Sequence, residues 1–267
     1  MSAPLPIPPS TEPKVTFLGH STLIIEMDGT RLLTDPLLRE RVTFLRRYPP
    51  PLAAAAYAGK FDAVLISHLH YDHLDVRSLS LLGKDVPIFT PPGGASILGA
   101  AGFRHVREVR IGDEWWAGSL TVLAVPADHD ARRSPFSAIG QESLGYVIEG
   151  SASIYFPGDT RLFPEMVRVL DALPGRLDLG LMPVWGWGYN RGKMHMGPRE
   201  AAEALRLLNP RFAVPIHWGT FAPLGARLLK PDYLVDPPVQ FHDWAQKLAP
   251  HVHVRTLMPG ESFNIER

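Results

Sequence analysis

The chain has no cysteine among its 267 residues, which removes disulfides, thiolate metal sites, iron–sulfur clusters and cysteine nucleophiles together. It has no excess charge of either sign, since 27 lysines and arginines balance 27 aspartates and glutamates. Nucleic-acid binding by bulk electrostatics is therefore not expected, because phosphate neutralisation needs a basic surface; a local basic patch stays open. No apolar run approaches the roughly 20 residues that a membrane-spanning helix needs. The first 13 residues are proline-rich and lack the basic-then-apolar order of a secretory signal. The expectation is a soluble, cytoplasmic protein with a flexible segment over 1–13. With 45% hydrophobic residues, the chain can bury a sizeable core, and its length favours a single domain over 1–267.

Histidine, in contrast, occurs 11 times. Any metal bound here must be held by imidazole and carboxylate, which suit zinc, manganese or iron. Proline and glycine, 27 and 23 residues, cut the chain into short apolar runs that read as strands. These are Lys14–Leu18, Thr22–Met27, Arg31–Thr34, Ala63–Ile66, Val86–Phe89, Val106–Val109, Ser119–Val125, Leu144–Ile148, Ser153–Phe156, Leu177–Met182 and Phe212–Pro215. Asp28-Gly29 marks a hairpin turn. Helical periodicity is clearest over Pro164–Leu173 and Pro198–Leu208, and weaker over Ala53–Ala58, Val76–Leu82, Ser96–Ala101 and Phe241–Leu248. Arg39–Pro51 and Pro126–Glu142 read as loops. Strands mixed with intermittent helices favour an α/β or α+β layered class.

The segment Ser67-His68-Leu69-His70-Tyr71-Asp72-His73 follows an apolar strand, so its polar side chains belong to a loop at a strand's carboxyl end, a usual place for a site. A single HxH is more often a surface or satisfied core pair. Three histidines and one aspartate within six positions, 68 to 73, are not explained that way. Further ligands should come from the ends of later strands, and His129, Asp159 and His217 each follow one. Any one of these alone is more often structural; their joint placement carries the argument.

These blocks resemble the metallo-β-lactamase-fold hydrolases. Within them the chain looks like the branch containing N-acyl-phosphatidylethanolamine-hydrolysing phospholipase D and ascorbate-6-phosphate lactonase. The phospholipase D likeness is the closer, through Gly19-His20-Ser21-Thr22, Thr34-Asp35-Pro36, Met194-His195-Met196-Gly197-Pro198 and Ile216-His217-Trp218-Gly219-Thr220-Phe221. The resemblance implies a four-layer αββα sandwich with two divalent metals at one edge, zinc first and manganese or iron as alternatives. It implies that His68, His70 and His129 hold one ion, that Asp72, His73 and His217 hold the other, and that Asp159 bridges them. The widest gap between consecutive ligands, from 159 to 217, is 58 residues, too short for an inserted accessory domain. Histidine at position 70, where a redox di-iron branch would have HxE, weighs toward hydrolysis.

The implied activity is a phosphodiesterase of the phospholipase D type, with a metal-bridging hydroxide as nucleophile. A lactonase or other ester or amide hydrolase is the enzymatic alternative, and a non-catalytic metal-binding or sensory protein is the alternative of another class. Asp72 would orient the nucleophile and His195 would protonate a leaving group or bind a substrate phosphate. His20 and Asp35 are expected behind the ligands, fixing imidazoles. Trp185, Trp187 and Tyr189 depart from the phospholipase D pattern and are candidates to line an apolar substrate pocket; Arg133, with Arg132 and Arg161, is a candidate phosphate fork. His105, His242, His251 and His253 are expected to be structural or superficial. A small-molecule or lipid phosphodiester is the expected substrate, with no nucleic-acid partner; peripheral membrane contact and a homodimer are left open.

Overall fold

A computed structural model describes residues 12–49, 51–133, 142–186, 194–223 and 234–266. In chain order its strands are β1 (Lys14–Gly19), β2 (Thr22–Met27), β3 (Thr30–Thr34), β4 (Arg41–Val42), β5 (Leu45–Arg47), β6 (Ala63–Leu65), β7 (Ile88–Thr90), β8 (Val106–Glu108) and β9 (Glu114–Ala117). They continue as β10 (Leu120–Pro126), β11 (Leu144–Glu149), β12 (Ser153–Phe156), β13 (Leu179–Pro183), β14 (Phe212–Ile216), β15 (Phe221–Pro223), β16 (His253–Val254) and β17 (Ser262–Asn264). The α-helices are α1 (Val76–Leu81), α2 (Gly94–Ala100), α3 (Pro198–Leu208) and α4 (Asp236–Leu248). Pro164–Ala172, expected as an α-helix, is wound as a 3-10 helix.

Two seven-stranded sheets, ordered β17-β1-β2-β3-β6-β7-β8 and β16-β14-β13-β12-β11-β10-β9, make the two inner layers. Strand alternation decides which side chains meet between them. Leu23, Ile25, Met27, Leu32, Ala63 and Leu65 of the first sheet face Val122, Tyr146, Ile148 and Ile154 of the second in one core. The alternate positions Ile24, Leu33, Val64 and Ile66 point outward, onto Leu79 of α1 and Leu98 of α2. Helix α3 buries Ala201, Ala202, Leu205 and Leu208 on the other side, packed with α4. The result is the expected αββα order. Asp28 and Gly29 form the turn between β2 and β3 with φ of 51° and 77°, the left-handed pair that an Asp-Gly hairpin supplies.

A third sheet, β15-β5-β4, was not expected. Its strands β4 and β5 lie in the Arg39–Pro51 stretch, expected as a loop. Its strands are two or three residues long, too short for a period-2 pattern to register, and they exist through pairing with β15, some 170 residues away in sequence.

Strands β3 and β6 run parallel to each other, as do β12, β13 and β14, so their carboxyl ends open at one edge. Hydrogen bonds lace the two sheets together there: Leu144 N–H donates to Ser67 O at 2.8 Å and His217 N–H to His20 O at 2.8 Å. The Tyr146 hydroxyl adds a third, to Ile66 O at 2.7 Å.

Candidate metal centre

At that edge the first sheet delivers His20 after β1, Asp35 after β3 and His68–His73 after β6. The second sheet delivers His129 after β10, Asp159 after β12 and His217 after β14. The loop carrying the histidine cluster is closed by Asp75, which caps α1 by accepting from Ser78 N–H at 2.9 Å and is gripped by Arg39 through two 2.7 Å bonds. His20, Asp35 and His217 all have positive φ, at 59°, 34° and 60°. Non-glycine residues rarely adopt that conformation, and it concentrates at sites where a side chain must be aimed.

Ring nitrogens and carboxylate oxygens converge in two neighbouring sets. His68, His70 and His129 form one; His20, Asp72, His73 and His217 form the other, with every donor atom of a set within 4.8 Å of the rest. Within the first, His68 Nε2 and His129 Nε2 lie 3.0 and 3.2 Å from His70 Nδ1. Asp159 lies between the sets: its Oδ2 is 3.2 Å from His73 Nε2 and from His217 Nε2, and it also groups with His129 and His195 within 4.8 Å. His195 Nδ1 is 3.5 Å from the same oxygen.

The hydrogen bonds behind the cluster fix which ring nitrogen is bare. Ser67 gives its hydroxyl proton to Asp35 Oδ2 at 2.6 Å, so at 2.9 Å it accepts from His68 Nδ1. His73 Nδ1 donates to Asp35 Oδ2 at 2.7 Å, His129 Nδ1 to Met194 O at 2.9 Å, and His217 Nδ1 to Trp185 O at 2.7 Å. In their neutral form these four imidazoles therefore turn an Nε2 lone pair toward the same space. His73 Nε2, His217 Nε2, His195 Nδ1 and Asp159 Oδ1 are buried there without a hydrogen-bond partner among the described residues. Buried ring nitrogens and carboxylate oxygens gathered this way suit a cation, whose charge would compensate their desolvation. The cluster is able to hold metal ions.

Electrostatics agree. Burial would raise Asp72 and Asp159, but His73 with His20 for the one, and His217, His73 and His195 for the other, hold both well below the usual carboxylate range. Burial would lower His73 and His217, and the carboxylates, Asp159 first, push both above the ordinary imidazole range. The buried carboxylates thus call for positive charge at the second set. The surrounding rings are held neutral: burial takes His20 to about 3, His70 to about 4 and His195 to about 3. His20 is buried and places Nε2 3.1 Å from Asp72 Oδ2, and its backbone N–H is fixed by Thr220 Oγ1 at 2.7 Å.

The weaker expectations fare differently. Arg133 directs Nη1 to the carbonyls of Leu69 and Leu74 at 2.6 and 3.3 Å and stacks on Tyr71, so it clasps the histidine loop instead of standing open as a phosphate fork. Arg132 and Arg161 pair with Asp130 and Asp128. Trp185, a candidate for a substrate wall, is 5% exposed and packed in the core, and its carbonyl reaches the site through His217. Trp187 and Tyr189 lie outside the described residues. His105, His242, His251 and His253 are exposed. Sequence reasoning missed Ser67, the link between Asp35 and His68, although it directly precedes the cluster. It also missed Gly186, where a Cβ would come within 2.5 Å of His195.

Residues 30–218 match the beta-lactamase superfamily domain. A UPF0173 metal-dependent hydrolase of Deinococcus radiodurans is 36% identical over 256 residues, covering 94% of this chain and 99% of that protein. N-acyl-phosphatidylethanolamine-hydrolyzing phospholipase D 1 of Caenorhabditis elegans is 28% identical over 242 residues, 83% of this chain and 67% of its own length. Among solved structures, Igni18, a metallo hydrolase from Ignicoccus hospitalis, superposes with TM-score 0.72 at 25% identity over 96% of this chain and all of that one. The isothiocyanate hydrolase from Delia radicum gut bacteria shares the fold, with TM-score 0.72 at 19% identity over 94% and 98% of the two chains. The chain therefore belongs to the beta-lactamase superfamily and, within it, to the UPF0173 metal-dependent hydrolases.

Proposed function

We propose that the protein is a dinuclear metal-dependent hydrolase acting on phosphodiesters. The observation that carries the reading is the set of four Nε2 lone pairs, each aimed by a donor bond on the far side of its ring, around two buried carboxylates. His68, His70 and His129 would hold one ion, Asp72, His73 and His217 the second, and Asp159 both; zinc is the favoured occupant of such a nitrogen and carboxylate set. When bound, paired divalent ions lower the pKa of a water between them and polarise the group under attack. Because both sheets contribute donors, the whole chain would act as one catalytic domain.

The chain's own residues do the rest. Asp72 and Asp159 offset cation charge and orient the attacking water, while Asp35, through His73 and Ser67, keeps two imidazoles in the binding tautomer. His20 donates to Asp72 Oδ2 and keeps its second oxygen free. His195, held neutral by burial, serves as a hydrogen-bond donor to a substrate or leaving-group oxygen, not as an imidazolium acid. The 28% likeness to the phospholipase D supports a phosphodiester, including a lipid one at a membrane surface, as substrate. A lactone or other ester would be attacked by the same constellation, and this alternative draws support from a fold neighbour named an isothiocyanate hydrolase, whose substrate is a carbon electrophile. A panel of phosphodiesters, N-acyl-phosphatidylethanolamine included, and lactones decides: higher kcat/KM on the phosphodiesters is expected, and turnover of lactones alone would overturn it.

A further inference from the structure

The parallel strands that carry the metal centre at their carboxyl ends carry a second, cationic concavity at their amino ends. Arg176 precedes β13, Arg211 directly precedes β14, and the segment from His251 to Arg255 contains β16. Along that segment Val252 is buried while His251, His253 and Arg255 are exposed. The turn residue His251, the strand residue His253 and Arg255 just after the strand are thereby left on the surface around one concavity. The strand is held to its neighbour by His253 N–H to Arg211 O at 2.9 Å, and Arg211 N–H reaches Leu177 O at 3.0 Å, so Arg176, Arg211 and His253 come from adjacent chain segments.

Together they line a cavity of about 360 Å³ in which Glu266 is the one acidic lining residue. The guanidinium groups are not all loose. Arg176 is fixed by Asn209 O at 3.1 Å and Pro210 O at 3.3 Å, and Arg211 by Asp178 at 3.2 Å, with its guanidinium 5.3 Å from the Phe212 ring. Neither Arg176 nor Arg255 has a carboxylate partner among the described residues. Three guanidinium groups set against Asp178 and Glu266 leave an excess of positive charge at this edge of a chain whose net charge is zero, and a bound anion would offset it. Oriented guanidinium forks fit phosphate oxygens and lose little freedom on binding them.

We propose that this cavity binds a small phosphate-bearing anion, at a site separate from the metal centre. The five residues of β14 separate the two by roughly 17 Å along the strand, so one small anion does not fill both.

The test is isothermal titration of the full-length protein with inorganic phosphate, pyrophosphate and adenosine monophosphate in separate runs, which tells a free phosphate from a phosphate ester. Each is repeated on protein stripped with chelator and on an Arg176→Gln, Arg255→Gln double variant, whose exposed positions leave the fold intact by circular dichroism. Saturable binding of at least one probe that survives stripping and weakens about tenfold or more in the double variant is expected. Arg255→Lys should recover only part of it, since the charge returns without the fork. Equal affinity in the double variant, or no saturation below about 10 mM, would overturn the proposal. So would binding that disappears on stripping and persists in the double variant, which would put the anion at the metal centre.

Discussion

Asp35→Asn tests the tautomer argument with almost no change of shape. The carboxylate is fully buried and takes three donors: Ser67 N–H on Oδ1 at 2.7 Å, and the Ser67 hydroxyl and His73 Nδ1 on Oδ2 at 2.6 and 2.7 Å. An amide has one acceptor oxygen, and its NH2 cannot face the Ser67 N–H, so the oxygen must take the Oδ1 place and the NH2 the Oδ2 place. His73 Nδ1 then has to accept, which moves its proton to Nε2, toward Asp159. The Ser67 hydroxyl, now accepting from the amide, turns its proton to His68 Nδ1 and moves that ring's proton to Nε2 as well. Two nitrogens aimed at the site lose their lone pairs. Loss of one outer partner costs about 10–100-fold in metal affinity, about 1.4–2.7 kcal/mol. Two rings together give about 10²–10⁴-fold. Competition with a chelator of known zinc affinity measures this, with circular dichroism confirming the fold. An Asp35→Asn variant that folds and binds zinc within about threefold of wild type would refute the reasoning.

Other outcomes follow from single contacts. Gly186→Ala should displace His195, because the new Cβ would lie 2.5 Å from its Cβ; turnover should fall while metal content by elemental analysis stays unchanged. Arg39→Ala removes the bidentate grip on the Asp75 cap and should cost about 1–2 kcal/mol in urea unfolding, again without loss of metal. Glu149 is pushed up to about 7, first by burial and then by Asp178, with Oε1 lacking a partner. Its folded pKa exceeds the unfolded one, so the native state holds the extra proton and stability falls as pH rises from about 4.5 to about 7. Thermal melts should show that decline in the wild type and a smaller one in Glu149→Gln.

The sequence made the inner layers legible because strands such as Thr22–Met27 and Ser153–Phe156 are bounded by turn residues and carry dense apolar runs. Helix α3 showed its start in Gly197-Pro198 and its length in an unbroken run of helix formers. The histidine cluster was legible because its residues are contiguous. Ser67, Thr220 and the carbonyls of Met194 and Trp185 were not, since any residue supplies a carbonyl and only the folded chain says which one an imidazole meets. Strand β9 escaped because Glu114-Trp115-Trp116-Ala117 offers only four residues, with Trp116 71% exposed. Arg133 is close to His129 in sequence, but its direction is set by the Leu69 and Leu74 carbonyls of the loop across the site.

The most direct test of the central claim is metal content set against turnover. Elemental analysis of the purified chain should give two divalent ions per molecule, with hydrolysis of a phosphodiester lost on exhaustive chelation and regained on adding zinc back. Fewer than one ion per chain, with full activity retained in chelator, would contradict it.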